Sequence, residues 1–266
     1  MNPLEILKDV RKYYKRRIKY HELLEQNKEI LNNNIELKDR HKNERCFIIA
    51  TGPSLKIEDI ELLSEEVTFG VNSIYKVFSK TDWRPTYFCM TDYSVYTSLQ
   101  EELSKIHFQS VISRYNMNFN TEEHYKVLIN SITRVFRENR FLSKFKRLFP
   151  WTRFSTDITK YVYSGDTVVY NMIQVAAYMG FKEIYLLGAD TSFRTDTVHS
   201  KIAEYDLKDD KKVALRGSAA ERMIKSYEIC AKKAKKMGFK VINVTRGGDL
   251  EVFPRKSLEE VLKVNK

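Results

Sequence analysis

Six short apolar runs, rich in β-branched residues, recur along this chain with helical segments between several of them. They are CFIIA (46–50), VTFGV (67–71), TYFCM (86–90), SVIS (110–113), EIYLLG (183–188) and KVINV (240–244). Runs of this kind fit strands buried on both faces, and strands joined through helices pair in parallel because each crossover returns the chain to the starting edge. The pattern predicts an α/β domain built on a mostly parallel sheet with helices on both faces. Two of the covering helices carry their own punctuation. SAAERMIKSYEICAKKAKKMG offers Ser218 as N-cap, Glu221 three residues on as a capping box, a lysine-rich last turn and Gly238 as the stop. SGDTVVYNMIQVAAYMG begins at Ser164 and stops at Gly180, with Val169, Met172, Ile173 and Ala176 on one face.

A chain of 266 residues can bury one substantial core. It reads as a catalytic domain over residues 44–266 behind a basic helical extension over 1–43. In the extension, Leu4, Leu7 and Val10 fall near helical spacing amid Lys8, Arg11, Lys12, Lys15, Arg16, Arg17 and Lys19, and the polar stretch NKEILNNNIELKDRHKNER follows as a linker. Such a helix either lies on acidic lipid headgroups or presents a solvated charged face. The formal charge of +11 is unevenly spread: residues 1–45 hold 12 Lys/Arg against 8 Asp/Glu, and residues 134–160 hold 8 against 2. This excess favours anionic partners, whether phosphorylated small molecules, nucleic acid or anionic lipid. No apolar stretch approaches the roughly 18 residues of a membrane span, and the N-terminus has no signal-peptide core, which places the chain in the cytosol with peripheral contact to a membrane left open. Cys46, Cys89 and Cys230 lie far apart without metal-ligand spacing and read as buried reduced thiols, with no metal site.

The stretches 114–160 and 191–217 are polar, aromatic and basic without a clean period. They read as lids over the carboxyl edge of the sheet, where open α/β sheets bind their ligands. Thr51, Gly52, Pro53 and Ser54 end the first strand, Asn72 and Ser73 the second, Thr91 and Asp92 the third, and Gly188, Ala189 and Asp190 the fifth. Each could be a plain turn former, but their recurrence at successive strand ends points to a polar ligand. The first turn lacks both familiar phosphate fingerprints: no Gly-Lys-Ser/Thr follows, only one glycine is present, and Pro53 removes an amide. Nicotinamide and P-loop chemistry are thereby disfavoured, while Gly52 still admits close approach and Ser54 can cap a helix or reach a phosphate. Ser164 and Gly165 open a helix whose amides suit a phosphate; equally, Ser164 is a simple N-cap and Asp166 repels an anion. His199, nine residues after Asp190, is either a proton-transfer group poised in the second lid or an ordinary surface histidine.

The segments FIIATGPSL, VNSIY, YFCMTD, YSGDTVVYNMIQVAAYMGFKEIYLLGAD and KKMGFKVINVTRGGDLEVFPRKSLEEVL, in this order, resemble the bacterial family named after 6-hydroxymethylpterin pyrophosphokinase. The first four also resemble the bacterial lipooligosaccharide sialyltransferases. The likeness covers roughly residues 44–263 and implies a Rossmann-like domain with a lid. The sialyltransferase pattern implies that Gly52 and Pro53 line a nucleotide pocket, with Thr51 where that family has asparagine. It further implies that Asn72 touches the nucleotide, that Ser164 and Gly165 hold the phosphate, and that Asp190 closes the sugar or nucleotide pocket. Asp92 stands where those enzymes have a second asparagine. Where they place phosphate-stabilising tyrosines, this chain has Thr191, Ser192, Phe193 and Arg194. Their catalytic histidine comes later in the lid than His199, which fits the pterin-kinase-like pattern better.

These readings give an expected function. The chain is a glycosyltransferase using a nucleotide-activated sugar, CMP-linked and sialic-acid-like, with a surface glycan or glycolipid as acceptor and no cofactor. His199 is the general base; Ser164, the amides after Gly165 and Arg194 stabilise the departing phosphate. An Asp92 and Asp190 pair could instead bind Mg²⁺ there, though no metal is expected; the competing enzyme is a Mg²⁺-dependent, ATP-dependent pyrophosphokinase of a hydroxymethylpterin-like substrate. The non-enzymatic alternative is an RNA-binding module, against which stands the lack of an RNA-binding motif, so no nucleic acid is expected; a homo-oligomer is allowed.

Overall fold

The computed structural model describes residues 3–128, 153–191 and 210–263. Among these residues seven strands form one sheet: β1 (Arg45–Ile49), β2 (Thr68–Val71), β3 (Tyr87–Met90), β4 (His107–Arg114), β5 (Asn120–Leu128), β6 (Glu183–Leu187) and β7 (Lys240–Asn243). Their spatial order is β5-β4-β3-β2-β1-β6-β7, and every neighbouring pair is parallel. The chain steps outward from β1 to β5 and then returns to β1's other side at β6. That reversal makes the carboxyl ends of β1 and β6 the topological switch point of a Rossmann-like sheet, the place where such sheets open a crevice.

Side-chain alternation along each strand feeds two cores. Cys46, Ile48 and Ala50 of the first strand and its exit, Phe69 and Val71 of β2, and Ile184 and Leu186 of β6 all face one side. Phe47, Ile49, Phe88, Met90, Tyr185 and Leu187 face the other. On the first side lie α5 (Val168–Tyr178) and α6 (Asp210–Met237); on the second lie α3 (Ile57–Glu61), α4 (Tyr93–Leu103) and α7 (Leu258–Leu262). Ten of the eleven residues of α5 are buried. A helix apolar all round has to be covered all round, and its two amides are satisfied accordingly. Asn171 donates to the Tyr163 carbonyl at 2.8 Å and accepts from the Thr91 hydroxyl at 2.9 Å. Gln174 donates to the Tyr163 and Tyr170 carbonyls and accepts from the Ser155 and Tyr163 amides.

Several expectations shift. The first lid, read from residue 114, begins instead with a sheet strand: β5 pairs with β4 from His107↔Asn120 to Arg114↔Leu128. The chain comes back between them over residues 115–119, and Tyr96 ties that return by exchanging hydrogen bonds with the amide and carbonyl of Asn118. Ser218 lies inside α6 and not at its start, because the helix already runs from Asp210, although Gly238 ends it as expected with φ 79°. The cap of α5 is Thr167, whose hydroxyl accepts from the Val169 amide; Ser164 lies three residues before it.

The polar stretch after α1 (Pro3–Gln26), which includes α2 (Lys28–Asn32), is packed rather than linking. Leu31 and Leu37 are buried, and the buried Asn34 donates to the carbonyls of Val127 and Ile158. Glu36 pairs with the buried Lys126. The amides of Asp39, His41 and Asn43 bond in turn to the carbonyls of Tyr178, Met179 and Gly180, and His41 stacks on Phe181 at 4.7 Å. Residues 27–43 therefore cover the end of α5. Among the described residues no helix is long and apolar enough to cross a membrane, and Cys46, Cys89 and Cys230 are all buried and free. Burial pushes each thiol up from its ordinary value, so none of them is an activated thiolate.

Candidate functional site

At the switch point, Gly52 and Asp190 are in contact. A Cβ added to Gly52 would lie 1.9 Å from Asp190 Oδ2 and 2.4 Å from the Gly188 carbonyl, so only glycine lets the two strand exits approach this closely. The Ser54 hydroxyl donates to Asp190 Oδ2 at 2.8 Å, and the Ser54 amide lies beside the same carboxylate. Asp190 is only 5% exposed. Burial raises its pKa above the usual carboxylate range; the Ser54 hydroxyl and amide and the nearby Arg255 charge oppose that rise.

A third segment closes over the same aspartate. After β7 the chain runs Thr245, Arg246, Gly247, Gly248, Asp249. The Asp249 amide donates to the Asp190 carbonyl at 2.7 Å, and the Thr245 hydroxyl accepts from the Ala189 amide at 3.0 Å. Gly248 has φ 78°, and a Cβ there would meet the Asp190 backbone at 2.2 Å. Arg255 holds the loop's shape by donating to the carbonyls of Thr245, Gly247 and Gly248. This clamp had no assigned role from sequence. Its signal was the paired glycine after the last apolar run, which acquires meaning only once β7 is known to lie beside β6.

The remaining residues lie along the same edge. Asn72, directly after β2, has φ 51°, and its Oδ1 is buried without a hydrogen-bond partner among the described residues; Ser73 beside it is buried. Thr91 links the end of β3 to the first turns of α5 through Asn171. α5 runs antiparallel to the strand it precedes, so its N-terminus and the turn of Ser164, Gly165, Asp166 and Thr167 sit at the carboxyl edge too. Gly165 and Asp166 have φ 55° and 64°, and Thr191, just past Asp190, has φ 55°. A β-branched residue in the left-handed region is strained, and such strain gathers at functional turns.

Two electrostatic details alter the reading of this edge. Asp166, which by itself would repel an anion, is paired with Arg222 of α6, Nε to Oδ2 at 2.8 Å. Arg222 thereby brings a positive charge to the turn that holds Ser164 and Gly165; no local sequence pattern connects positions 56 residues apart. Asp92 is occupied differently. Its Oδ1 accepts from the Ser94 amide, the Ser94 hydroxyl and the Val95 amide as the N-cap of α4. Asp190 in turn accepts from the Ser54 hydroxyl. Among the described residues no group of three or more His, Cys, Asp or Glu side chains is placed so that it could hold a metal ion. Ser192, Arg194 and His199 lie outside the described residues, as does most of the second lid.

A family model described as 6-hydroxymethylpterin diphosphokinase MptE-like matches residues 21–196. No curated protein matches the chain. Among solved structures, the MAf glycosyltransferase from Magnetospirillum magneticum AMB-1 is similar at 17% identity and a TM-score of 0.48, covering 84% of this chain and 35% of that one. The chain thus spans about a third of that protein's length.

Proposed function

The chain belongs to the 6-hydroxymethylpterin diphosphokinase MptE-like family, and from that premise we propose that its switch-point crevice serves a nucleotide-dependent transferase. The donor is a sugar joined to a nucleotide through one phosphate, CMP-linked and sialic-acid-like, and the acceptor is a glycan or glycolipid hydroxyl. One observation carries the choice of a monophosphate-linked donor: the amides of the first turn are already spent. The Gly52 amide donates to the Gly188 carbonyl, Pro53 has none, the Ser54 amide faces the Asp190 carboxylate, and the Leu55 amide returns to the Gly52 carbonyl. A triphosphate cradle of the P-loop kind relies on a series of free amides in this very turn. A single phosphate can be held elsewhere.

In this reading the phosphate rests on the turn of Ser164 and Gly165 beside Arg222, at the positive end of α5. Thr51, Asn72 and Ser73 line the nucleoside side, where the buried Asn72 Oδ1 needs a donor. Gly52, Pro53 and Ser54 form the crevice floor with Asp190, which closes the sugar pocket. Ser192 and Arg194 extend the phosphate contacts from the lid. His199 takes the proton of the acceptor hydroxyl as its oxygen bonds to the anomeric carbon; the bond from that carbon to the phosphate oxygen breaks, and the nucleotide leaves with the electron pair.

The family's own description favours a second reading, diphosphoryl transfer to a hydroxymethylpterin-like alcohol, for which ATP with Mg²⁺ would be the donor. A ligand bound only by the native state raises its melting temperature, so a thermal-shift series separates the two. CMP without Mg²⁺ is expected to stabilise the protein more than CDP, UDP, GDP or ATP. Stabilisation by ATP with Mg²⁺ and by nothing else would overturn the glycosyltransferase in favour of the kinase.

A further inference from the structure

α1 turns an apolar stripe outward. Leu7, Tyr14 and Ile18 are 52%, 55% and 61% exposed. Their spacing of seven and four residues puts them within about 40° of arc on an α-helix. Arg11, Lys15, Lys8 and Lys19, all exposed, follow along one flank of that stripe. The helix is held to the rest of the protein by its other side, where Tyr20 packs against Tyr161 at 6.4 Å between ring centroids. Scattered exposed leucines are ordinary, but three large apolar side chains aligned on the outer face of one helix, against a row of cations, are not.

We propose that α1 lies on an anionic lipid surface, with Leu7, Tyr14 and Ile18 entering the headgroup boundary and the flanking lysines and arginine reaching its phosphates. Charge complementarity selects the occupant. Residues 8–19 contain seven Lys/Arg and one Asp, so a second copy of α1 laid on the first would set like charges against each other. An anionic bilayer instead meets both the stripe and its flank, in the arrangement of interfacial amphipathic helices. Long basic side chains at such a boundary keep their stems on the apolar side and their charge in water. α1 would attach the protein peripherally, and this attachment does not depend on what the crevice holds.

Vesicle co-sedimentation of the full chain tests this. Binding is expected to phosphatidylcholine vesicles containing phosphatidylglycerol, about tenfold stronger than to phosphatidylcholine alone, and weakened at about 0.5 M salt, where screening shortens the reach of the charges. The double substitution Leu7→Gln and Ile18→Gln keeps good helix formers on exposed positions and should leave the melting temperature unchanged. It is expected to weaken binding to the anionic vesicles about tenfold at low salt, because the apolar anchor is gone. Lys15→Gln with Lys19→Gln should erase most of the preference for anionic over neutral vesicles. No binding to the phosphatidylglycerol vesicles overturns the proposal, as does unchanged binding by the Leu7/Ile18 variant. Sedimentation of the parent as an oligomer that the same variant dissociates would assign the stripe to self-association instead.

Discussion

Asp190 is where burial and hydrogen bonding meet in one residue, directly before the left-handed Thr191. Its folded-state pKa lies above the ordinary carboxylate value, chiefly through desolvation. The folded chain therefore binds this proton more tightly than the unfolded chain does. The charged carboxylate costs stability above the folded pKa, and that cost disappears as pH falls below the unfolded value of about 3.9. Asp190→Asn carries no such charge, and its amide oxygen can still accept from Ser54. The variant is expected to melt at the same temperature as the parent or higher at neutral pH, with the gap closing on acidification toward pH ~4. Transfer activity should fall on the order of 100-fold, as for loss of one group acting on the reacting centre. Melting curves across pH and a single kcat/KM comparison check both halves, and a lower melting temperature at neutral pH would show that the buried charge is not the dominant cost. Much of this residue's setting was legible beforehand, since the sequence marks Gly52, Ser54 and Asp190 as ends of apolar runs. Its clamp was not, because Gly248 and Arg255 reach Asp190 only through the placement of β7 beside β6.

At the level of elements, the α5 turn and α6 act together. Ser164 marked an edge turn correctly but misplaced the cap by three residues, because SGDT offers three capping side chains in four positions and local pattern cannot choose among them. Packing decides. Tyr170, fully buried, lies against Gly165, and Thr167 takes the cap while Asp166 turns to Arg222. Ser218 failed as a cap for a related reason: residues 210–217 extend the helix, and a capping box inside a continuing helix has no free amides to bind. The strand β5 escaped notice because NTEEHYKVL is charged and only partly alternating, the signature of an edge strand rather than a buried one. If Arg222 brings the positive charge that holds a donor phosphate, Arg222→Met should weaken CMP binding about 10- to 100-fold, the range for loss of a charge-assisted hydrogen bond of roughly 1.5–3 kcal/mol. Arg222→Lys should recover only part of it, because a point charge cannot bond Asp166 and phosphate in the planar geometry of a guanidinium. Calorimetric titration with CMP reads this directly; a variant that melts earlier yet binds CMP like the parent would reduce Arg222 to a structural partner of Asp166.

For the whole molecule, the division of labour falls inside the N-terminal segment and not at its end near residue 44. Composition made residues 27–43 look like a linker, because asparagines, lysines and glutamates dominate them and their buried members are few. Yet Leu31 and Leu37 are buried, Asn34 reaches two carbonyls on separate segments, and successive amides close the end of α5. Burial of the two leucines alone contributes about 3–6 kcal/mol at roughly 1.5–3 kcal/mol each. That is a large share of a total folding stability of about 5–15 kcal/mol. Hydrogen bonds from residues 39, 41 and 43 add to it. α1, by contrast, exposes its apolar stripe and most of its described length. A chain beginning at Asn27 should therefore fold with a melting temperature within a few degrees of the parent and keep nucleotide binding, while losing attachment to anionic vesicles. A chain beginning at Glu44 should be largely unfolded or aggregated, because it uncovers Tyr178, Phe181 and Ile158 together. Circular dichroism melts of the two truncations, each set beside CMP titration and vesicle co-sedimentation, separate the roles. Retained folding in the shorter chain would return residues 27–43 to the status of a tether, and lost CMP binding in the longer one would draw α1 into the crevice.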